Sequence, residues 1–368
     1  MAVPLTGQIR IGLIGAGLIG QTHSMMIRQI ADRTESSARV VAVADVTHDA
    51  AERLAARWQG AHALATGEEV FRDPAIDAVW ICTPTATHRE LCIAAARARK
   101  HIFCEKPLAM SALEAAEMEA AIRAAGVVSQ VGLVLRFSPV YTVIKAMLAE
   151  TAAGRMQAVT MRDDQDFPTR GVHASAWRND PSLTAGGTLV EHSVHDFDLM
   201  TWMFGRVERL YCRVRNLNGA EGVEDFGATE LEFAGGFDGQ LTSVWHRMIG
   251  RPSNRRLEVF AENLFVASDH DTLGPIIVQR GNATSEETID EGEVMRRFTE
   301  IILRERPYLE PLRNYLAVPY ALEDMAFLAA LRGQCDTDPP FAAGVAAQRM
   351  VEAAYESARS GRAVEFKS

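Results

Sequence analysis

The sequence predicts an α/β domain with a mainly parallel sheet, followed by a second domain built on an antiparallel sheet, and three observations carry that expectation. Short apolar runs alternate with helical stretches from Gln8 to about Val131. The first of these runs opens directly into a glycine-rich turn at Gly15. Beyond the helix that reads from Val140 to Ala149, the pattern changes to alternating segments separated by turns such as Gly235-Gly236 and Asp238-Gly239. Strands alternating with helices select a parallel sheet with right-handed crossovers, whereas closely spaced strands with such turns select an antiparallel one.

The first element is the buried strand Gln8–Ile14, which runs into Gly15-Ala16-Gly17-Leu18-Ile19-Gly20 and a helix from about Leu18 to Ile30. In this strand–turn–helix setting Gly-x-Gly-x-x-Gly is a dinucleotide fingerprint, and the domain is a Rossmann domain. Gly15 makes the tight turn, Gly17 lets the backbone approach a pyrophosphate, and Gly20 lets helix pack on strand. The pyrophosphate is then received at the helix N-terminus, at Leu18 and Ile19, by unpaired N–H groups and the helix dipole. A plain tight turn is the alternative, and the next strand argues against it. Val40–Ala44 ends in Asp45, whose carboxylate can accept from the adenosine ribose and repels a 2′-phosphate, which favours NAD over NADP. The polar stretch Asp32–Ser37, read as a loop, accounts for the long spacing from Gly20 to Asp45.

Further units follow in order: a helix from about Asp49 to Trp58, a strand Ala78–Cys82, a helix near His88–Ala98, and a strand His101–Cys104. A helix Ala112–Ala125 and a strand Val127–Val131 complete the set. Ligands of such sheets bind beyond the carboxyl ends of the strands. Two strand ends therefore stand out, Thr83-Pro84-Thr85 and Glu105-Lys106-Pro107. Elsewhere a lone lysine before proline is a solvated loop cation; here Lys106 is placed to project over the cofactor site.

Size and composition set the bounds. A chain of 368 residues suits two domains, at roughly 150 residues each. With 48% hydrophobic and 23% charged residues it reads as a soluble globular protein. A formal charge of −10, from 48 acidic against 38 basic residues, gives no reason to expect nucleic acid or a membrane, and favours a small-molecule partner. The five cysteines are scattered singly, which suggests neither disulfides nor structural zinc but buried thiols in a reducing cytoplasm. The first apolar run is too short for a secretion signal, and nothing approaches the roughly 20 apolar residues of a membrane span.

Near mid-chain, Gly186-Gly187 precede Thr188–Asp198. On one continuous helix Glu191, His195 and Asp198 would share a face and set an imidazole between two carboxylates. His192 falls about 100° away, which suits a solvated or packing role. His192, His195 and Asp198 are all capable of binding metal, but their faces diverge and no further cluster is visible, so no metal is expected.

Together these motifs resemble the Gfo/Idh/MocA family, named for glucose-fructose oxidoreductase, inositol dehydrogenase and a rhizopine-catabolism protein. The resemblance rests on Gly15–Gly20, Thr83-Pro84 with His88, Glu105-Lys106-Pro107, and the stretch ending His195-Asp196-Phe197-Asp198. It implies an NAD-binding Rossmann domain, residues 1–132, and a substrate-binding and oligomerisation α+β domain with an open, mostly antiparallel sheet, residues 133–368. It implies cofactor contacts at Thr83, Pro84, His88, Glu105 and Lys106 beside the fingerprint and Asp45. Lys106 resembles the family's active-site lysine and His195 its catalytic histidine. Glu191 stands where many members have aspartate, and contact with substrate, orientation of His195 or neither all remain open for it. The neighbourhood of Trp177-Arg178 corresponds to the substrate pocket; a packed tryptophan beside a surface arginine is the alternative.

In the second half, strands read as Met156–Arg162, Leu210–Val214, Ala228–Phe233, Gln240–Trp245 and Leu257–Ala261, and Met161–Asp166 as a loop within reach of the pocket. Tyr308–Leu331 and Val345–Arg359 read as packing helices. One sheet face must be covered by the other domain or another subunit, so a homo-oligomer, dimer or tetramer, is expected. The chemistry expected is reversible NAD-dependent oxidation of a secondary alcohol on a sugar, sugar derivative or cyclic polyol. His195 is the base, Lys106 stabilises the alkoxide, and a carboxylate at Glu191 would hold the imidazole's orientation or raise its basicity. A non-catalytic NAD-sensing protein is one competitor, and an enzyme that recycles tightly bound NAD is another.

Overall fold

The computed structural model describes residues 3–34, 38–168, 175–217, 219–248 and 250–366. The chain divides into two compact units, Met1–Val134 with Arg306–Val345, and Leu135–Glu305 with Ala346–Ser368.

The first unit alternates as expected: β1 (Ile9–Ile14), α1 (Leu18–Arg33), β2 (Ala38–Ala44), α2 (His48–Ala55), β3 (His62–Leu64), α3 (Gly67–Arg72), β4 (Ala78–Ile81), α4 (Thr85–Arg97), β5 (His101–Glu105), α5 (Ala112–Ala125) and β6 (Ser129–Gly132). All six strands are parallel, in the order β3-β2-β1-β4-β5-β6. Helices on both faces bury the strands, so β4 is apolar and buried at every position. The order reverses between β1 and β4, so the fingerprint after β1 and Thr83-Pro84 after β4 adjoin at the switch point where such sheets bind ligands. Helix ends follow ordinary chemistry: Thr66 and Glu69 form a capping box on α3, and Gly126 closes α5 at φ +66°. α1 runs to Arg33, so the loop read at Asp32–Ser37 begins at Thr34, and 35–37 lie outside the described residues.

In the second unit come α6 (Pro139–Leu148), β7 (Met156–Asp166), α7 (Thr188–Glu191), α8 (Val194–Phe204), β8 (Val207–Arg215), β9 (Phe226–Phe233), β10 (Phe237–His246), β11 (Asn254–Ala261), β12 (Leu264–Ser268), β13 (Ile276–Arg280), β14 (Glu287–Ile289) and α9 (Glu291–Glu305). The chain then returns to the first unit as α10 (Pro319–Leu331), begins α11 (Phe341–Ser360) there, and ends in the second unit with β15 (Val364–Glu365). The second sheet has nine strands in the order β14-β13-β12-β11-β7-β10-β9-β8-β15. Neighbours are antiparallel except β7 and β10, paired in parallel from Ala158↔Asp238 to Asp166↔His246. Helix α7 packs on β9 and β10, and α6 on β12 and α9. On the strands' outward positions Thr160, Glu230, Glu232, Asp238 and Gln240 are exposed.

Two expectations need correction. The segment from Arg306 to Val345 belongs with the first unit, not the second. α10 is buried at every position from Ala321 to Leu331 and packs along α1; its apolar residues lie all round it, and its two acidic ones, Glu323 and Asp324, are buried with them. The run Met161–Asp166 is not a loop: it completes β7, with Asp163, Asp164 and Gln165 buried. No helix among the described residues is long and apolar enough to cross a membrane.

Candidate active site

In the first unit the three fingerprint glycines do three different things. Gly15 has φ +99°, and a Cβ there would lie 2.4 Å from the Cys82 carbonyl oxygen, so the turn presses against the end of β4. At Gly20 a Cβ would lie 1.9 Å from the Gly15 carbonyl oxygen, which fixes how closely α1 returns to the turn. A Cβ at Gly17 would meet nothing within 4 Å, and Gly17 begins α1 with no side-chain cap and no acidic residue in the first turn. The helix start is therefore open and electropositive, and Leu18, half exposed, lies beside it. These features fit a dinucleotide's pyrophosphate. Asp45 braces the turn: one carboxylate oxygen accepts the Ala16 N–H at 2.7 Å and the other the Thr47 N–H at 2.7 Å. Each oxygen keeps a lone pair for a ribose hydroxyl.

At the neighbouring strand ends, His88 and Glu105 have supporting places in the structure rather than cofactor-facing ones. His88 is 1% exposed, its ring nitrogens each 2.8 Å from a carbonyl oxygen, of Pro107 and of Thr83. It thereby staples together the loops that follow β4 and β5. Glu105 turns into the protein, one oxygen 3.0 Å from His23 Nε2 and the other accepting the Lys106 N–H at 3.0 Å. Lys106 itself is half-buried at the end of β5. Pro84 begins α4, and Thr83 accepts from the Thr87 hydroxyl at 2.7 Å.

In the second unit the mid-chain stretch is two helices, not one. α7 ends at Glu191 and α8 starts at Val194, so Glu191, His195 and Asp198 do not share one helix face. The break has a tertiary cause. Ser193 bonds through its hydroxyl to Ser243, and the Trp245 indole donates to His192 Nδ1 at 3.0 Å, which draws the turn onto β10. Glu191, fully buried, pairs with Arg178 at 3.2 Å, whose guanidinium lies 4.9 Å over the Trp177 ring. Its charge thus orders Arg178 and, through it, the Trp177 ring. Asp198 is taken by Arg136 in a bidentate pair at 2.8 and 2.6 Å. His195 lies in the first turn of α8 and is 8% exposed.

Two anchors of this stretch were not foreseen. Glu224 accepts the Gly187 N–H at 2.6 Å, the Leu189 N–H at 2.9 Å and the Tyr355 hydroxyl at 2.8 Å, which pins the start of α7. A Cβ at Gly187 would lie 1.8 Å from the Glu224 carbonyl oxygen, so the glycine pair permits the approach. Arg255 is buried and lies 2.7 Å from Asp196, 3.6 Å from Asp163 and 3.1 Å from Asp271. Burial, and after it the charge of Asp196, push the Asp163 carboxyl up to about 8, against the pull of Arg255.

That shift makes stability fall with pH. The folded chain keeps the Asp163 proton to about pH 8, whereas an unfolded aspartate releases it near the ordinary value of about 3.9. Between those limits unfolding releases a proton, so this group lowers stability as pH rises, by up to about 1.4 kcal/mol per pH unit. Asp163→Asn removes that slope. Urea unfolding of wild type and variant from about pH 5.5 to about pH 7.5 should show the variant gaining on the wild type as pH rises; a constant difference would refute the assignment.

Comparison with known proteins decides the family. Residues 9–133 match the oxidoreductase family with NAD-binding Rossmann fold, and residues 141–264 match the GFO/IDH/MocA C-terminal domain. The chain belongs to the Gfo/Idh/MocA oxidoreductases. Its first unit is accordingly an NAD-binding Rossmann fold. The inositol 2-dehydrogenase of Rhizobium meliloti is 27% identical over 97% of this chain and 99% of its own. The myo-inositol 2-dehydrogenase of Thermotoga maritima is 27% identical over 84% of this chain and 87% of its own. Among solved structures, levoglucosan dehydrogenase in complex with NADH and levoglucosan superposes with a TM-score of 0.84 at 22% identity, covering 98% of this chain and 100% of that one. The last likeness is one of fold.

Proposed function

We propose that this oxidoreductase transfers hydride between NAD and a secondary alcohol of a sugar, sugar derivative or cyclic polyol, with Lys106 and His195 in the acid/base roles. The observation that carries the reading is the placement of Lys106 at the end of β5, in the same sheet whose β1 end bears the open fingerprint turn. Inositol and levoglucosan dehydrogenases among the similar proteins support the substrate class.

When bound, NAD supplies the hydride acceptor at its nicotinamide ring. Gly15, Gly17, Leu18, Ile19 and Gly20 would hold its pyrophosphate and Asp45 its ribose. The carboxylate of Asp45 discriminates against a 2′-phosphate by repulsion. The His195 imidazole, whose ordinary pKa of about 6.5 lies near working pH, takes the hydroxyl proton. The Lys106 ammonium stabilises the developing alkoxide and so lowers the acidity barrier of the alcohol. Arg178, ordered by Glu191 and stacked on Trp177, offers donors and an apolar face to a sugar ring.

The test is a panel of polyols and sugars, with myo-inositol and levoglucosan first, followed at the reduced-nicotinamide band. At least one member should reduce NAD with a kcat/KM of roughly 10³ M⁻¹s⁻¹ or more. Tight NADH binding with no reduction by any member would favour an NAD-sensing protein instead. The exposed positions of the second sheet also support a homo-oligomer, dimer or tetramer, which light scattering of the purified chain tests. Its unpaired cysteines suit a reducing cytoplasm.

A further inference from the structure

We propose that His23 and Glu105 are positioning residues for Lys106: an imidazole on the fingerprint helix holds the carboxylate that in turn holds the lysine's peptide N–H and acts on its ammonium. This rests on the catalytic reading of Lys106, but its test does not depend on turnover.

The geometry is a chain of short contacts through the core of the first unit. Trp80 on β4 donates its indole N–H to Asp324 Oδ1 at 2.9 Å, and the same oxygen is 2.8 Å from His23 Nδ1. His23 Nε2 is 3.0 Å from Glu105 Oε1, and Glu105 Oε2 accepts the Lys106 N–H at 3.0 Å. His23 and Asp324 are fully buried, and Glu105 is 5% exposed. Phe103 and Tyr320 set their ring edges against His23, with centroids 4.9 and 5.7 Å away. Room for the carboxylate comes from Gly132 on β6, paired with Glu105, where a Cβ would lie 2.8 Å from Glu105 Oε1.

A neutral imidazole has one N–H, so donating to both carboxylates requires the imidazolium. Burial opposes that charge, but Asp324 and then Glu105 outweigh it and raise His23 well above its ordinary value. Burial likewise opposes the Glu105 charge, and His23, then Lys106, still hold its carboxyl below the ordinary range. The attraction between Glu105 and Lys106 is mutual, so Glu105 favours the lysine's protonated form. The other titratable groups around the carboxylate are Cys82 after β4, Cys104 on β5, and Glu323 and Asp324 on α10. Burial pushes all four upward, while His23 and the Trp80 indole hold Asp324 back toward its charged form. Glu105 is thus the anion next to Lys106, and His23 the cation between it and Asp324. Because His23 rides on α1, whose first turn is the fingerprint end, the same contacts tie the dinucleotide helix to the lysine.

The pair predicts effects of opposite sign. Lys106 modification by trinitrobenzenesulfonate is followed by peptide mass spectrometry from about pH 7 to about pH 10. Glu105→Gln removes the anion, lowers the lysine's proton affinity and speeds labelling at about pH 8 roughly tenfold. His23→Gln removes the cation, leaves Glu105 uncompensated and slows labelling severalfold. Both variants should lower kcat while leaving the NADH Kd within about threefold. Changes in the same direction in two cooperatively folded variants, or none in either, overturn the proposal. If Glu105→Gln does not fold, the sign for His23→Gln decides alone. The ligand atoms of His23, Glu105 and Glu323 lie within 4.8 Å of one another, and both Glu323 carboxylate oxygens are buried without a hydrogen-bond partner. Elemental analysis therefore accompanies the labelling: one divalent metal per chain that is lost in Glu323→Gln would also overturn the proposal, by assigning the cluster to metal binding. Lys106→Met tests the catalytic reading separately, since that reading can fail while the labelling signs hold.

Discussion

Lys106→Met and His195→Asn should each lower kcat by about 10²–10⁴-fold on whichever polyol or sugar the panel identifies. Both replacements keep the side chain's approximate size, so neither leaves a large void. Methionine removes the ammonium that stabilises the alkoxide, and asparagine cannot take the hydroxyl proton at neutral pH. Because neither group is assigned to the dinucleotide's phosphates or ribose, the NADH Kd should stay within about threefold of wild type, so the loss appears in kcat and not in cofactor affinity. Two groups that serve one proton transfer are not additive, and the double variant should be little worse than the worse single one. Steady-state rates with fluorescence titration of NADH check all three statements. A Lys106→Met enzyme with turnover within about threefold of wild type would remove Lys106 from the chemistry.

What was legible in the sequence follows from which signals are local. β1, β2, β4 and β5 are buried on both faces and read as continuous apolar runs. β3 and α3, three and six residues long, are too short to show a period. α9 carries a signal, Val294, Phe298 and Ile302 at helical spacing, but it stands among charges that weaken the apolar pattern. The end of β7 was hidden because its buried side chains are acidic, and arginines far along the chain meet them, Arg255 at Asp163 and Arg251 at Asp164.

The site divides in the same way. Gly15, Gly17, Gly20, Asp45 and Lys106 announce themselves through position in a βα unit. Their supports do not: His23 meets Asp324 across 301 residues, Gly187 meets Glu224 across 37, and Arg255 meets Asp196 across 59. The failure of the one-face reading of Glu191, His195 and Asp198 is of this kind. Spacing allows a continuous helix, but Ser243 and Trp245 on β10 draw the chain into a turn. His195 survives that correction as a candidate base, while Glu191 becomes the partner of Arg178.

Gly17→Ala and Gly20→Ala should separate binding from folding at two positions three residues apart. At Gly17 φ is −69°, which any residue adopts, and an added methyl meets nothing within 4 Å. The fold should therefore accept it with a change of less than about 0.5 kcal/mol. The methyl would nonetheless stand where backbone must approach the pyrophosphate, so the NADH Kd should rise by about tenfold or more. At Gly20 the methyl would lie 1.9 Å from the Gly15 carbonyl oxygen, and α1 must move off the turn to make room. That overpacking should cost about 1–3 kcal/mol, seen in urea unfolding, and should weaken NADH as well, because the displaced helix no longer points its first N–H groups at the anion. Fluorescence titration beside urea unfolding distinguishes the two. NADH bound by Gly17→Ala as tightly as by wild type would mean that the pyrophosphate does not sit at the start of α1, however well the turn's geometry suits it.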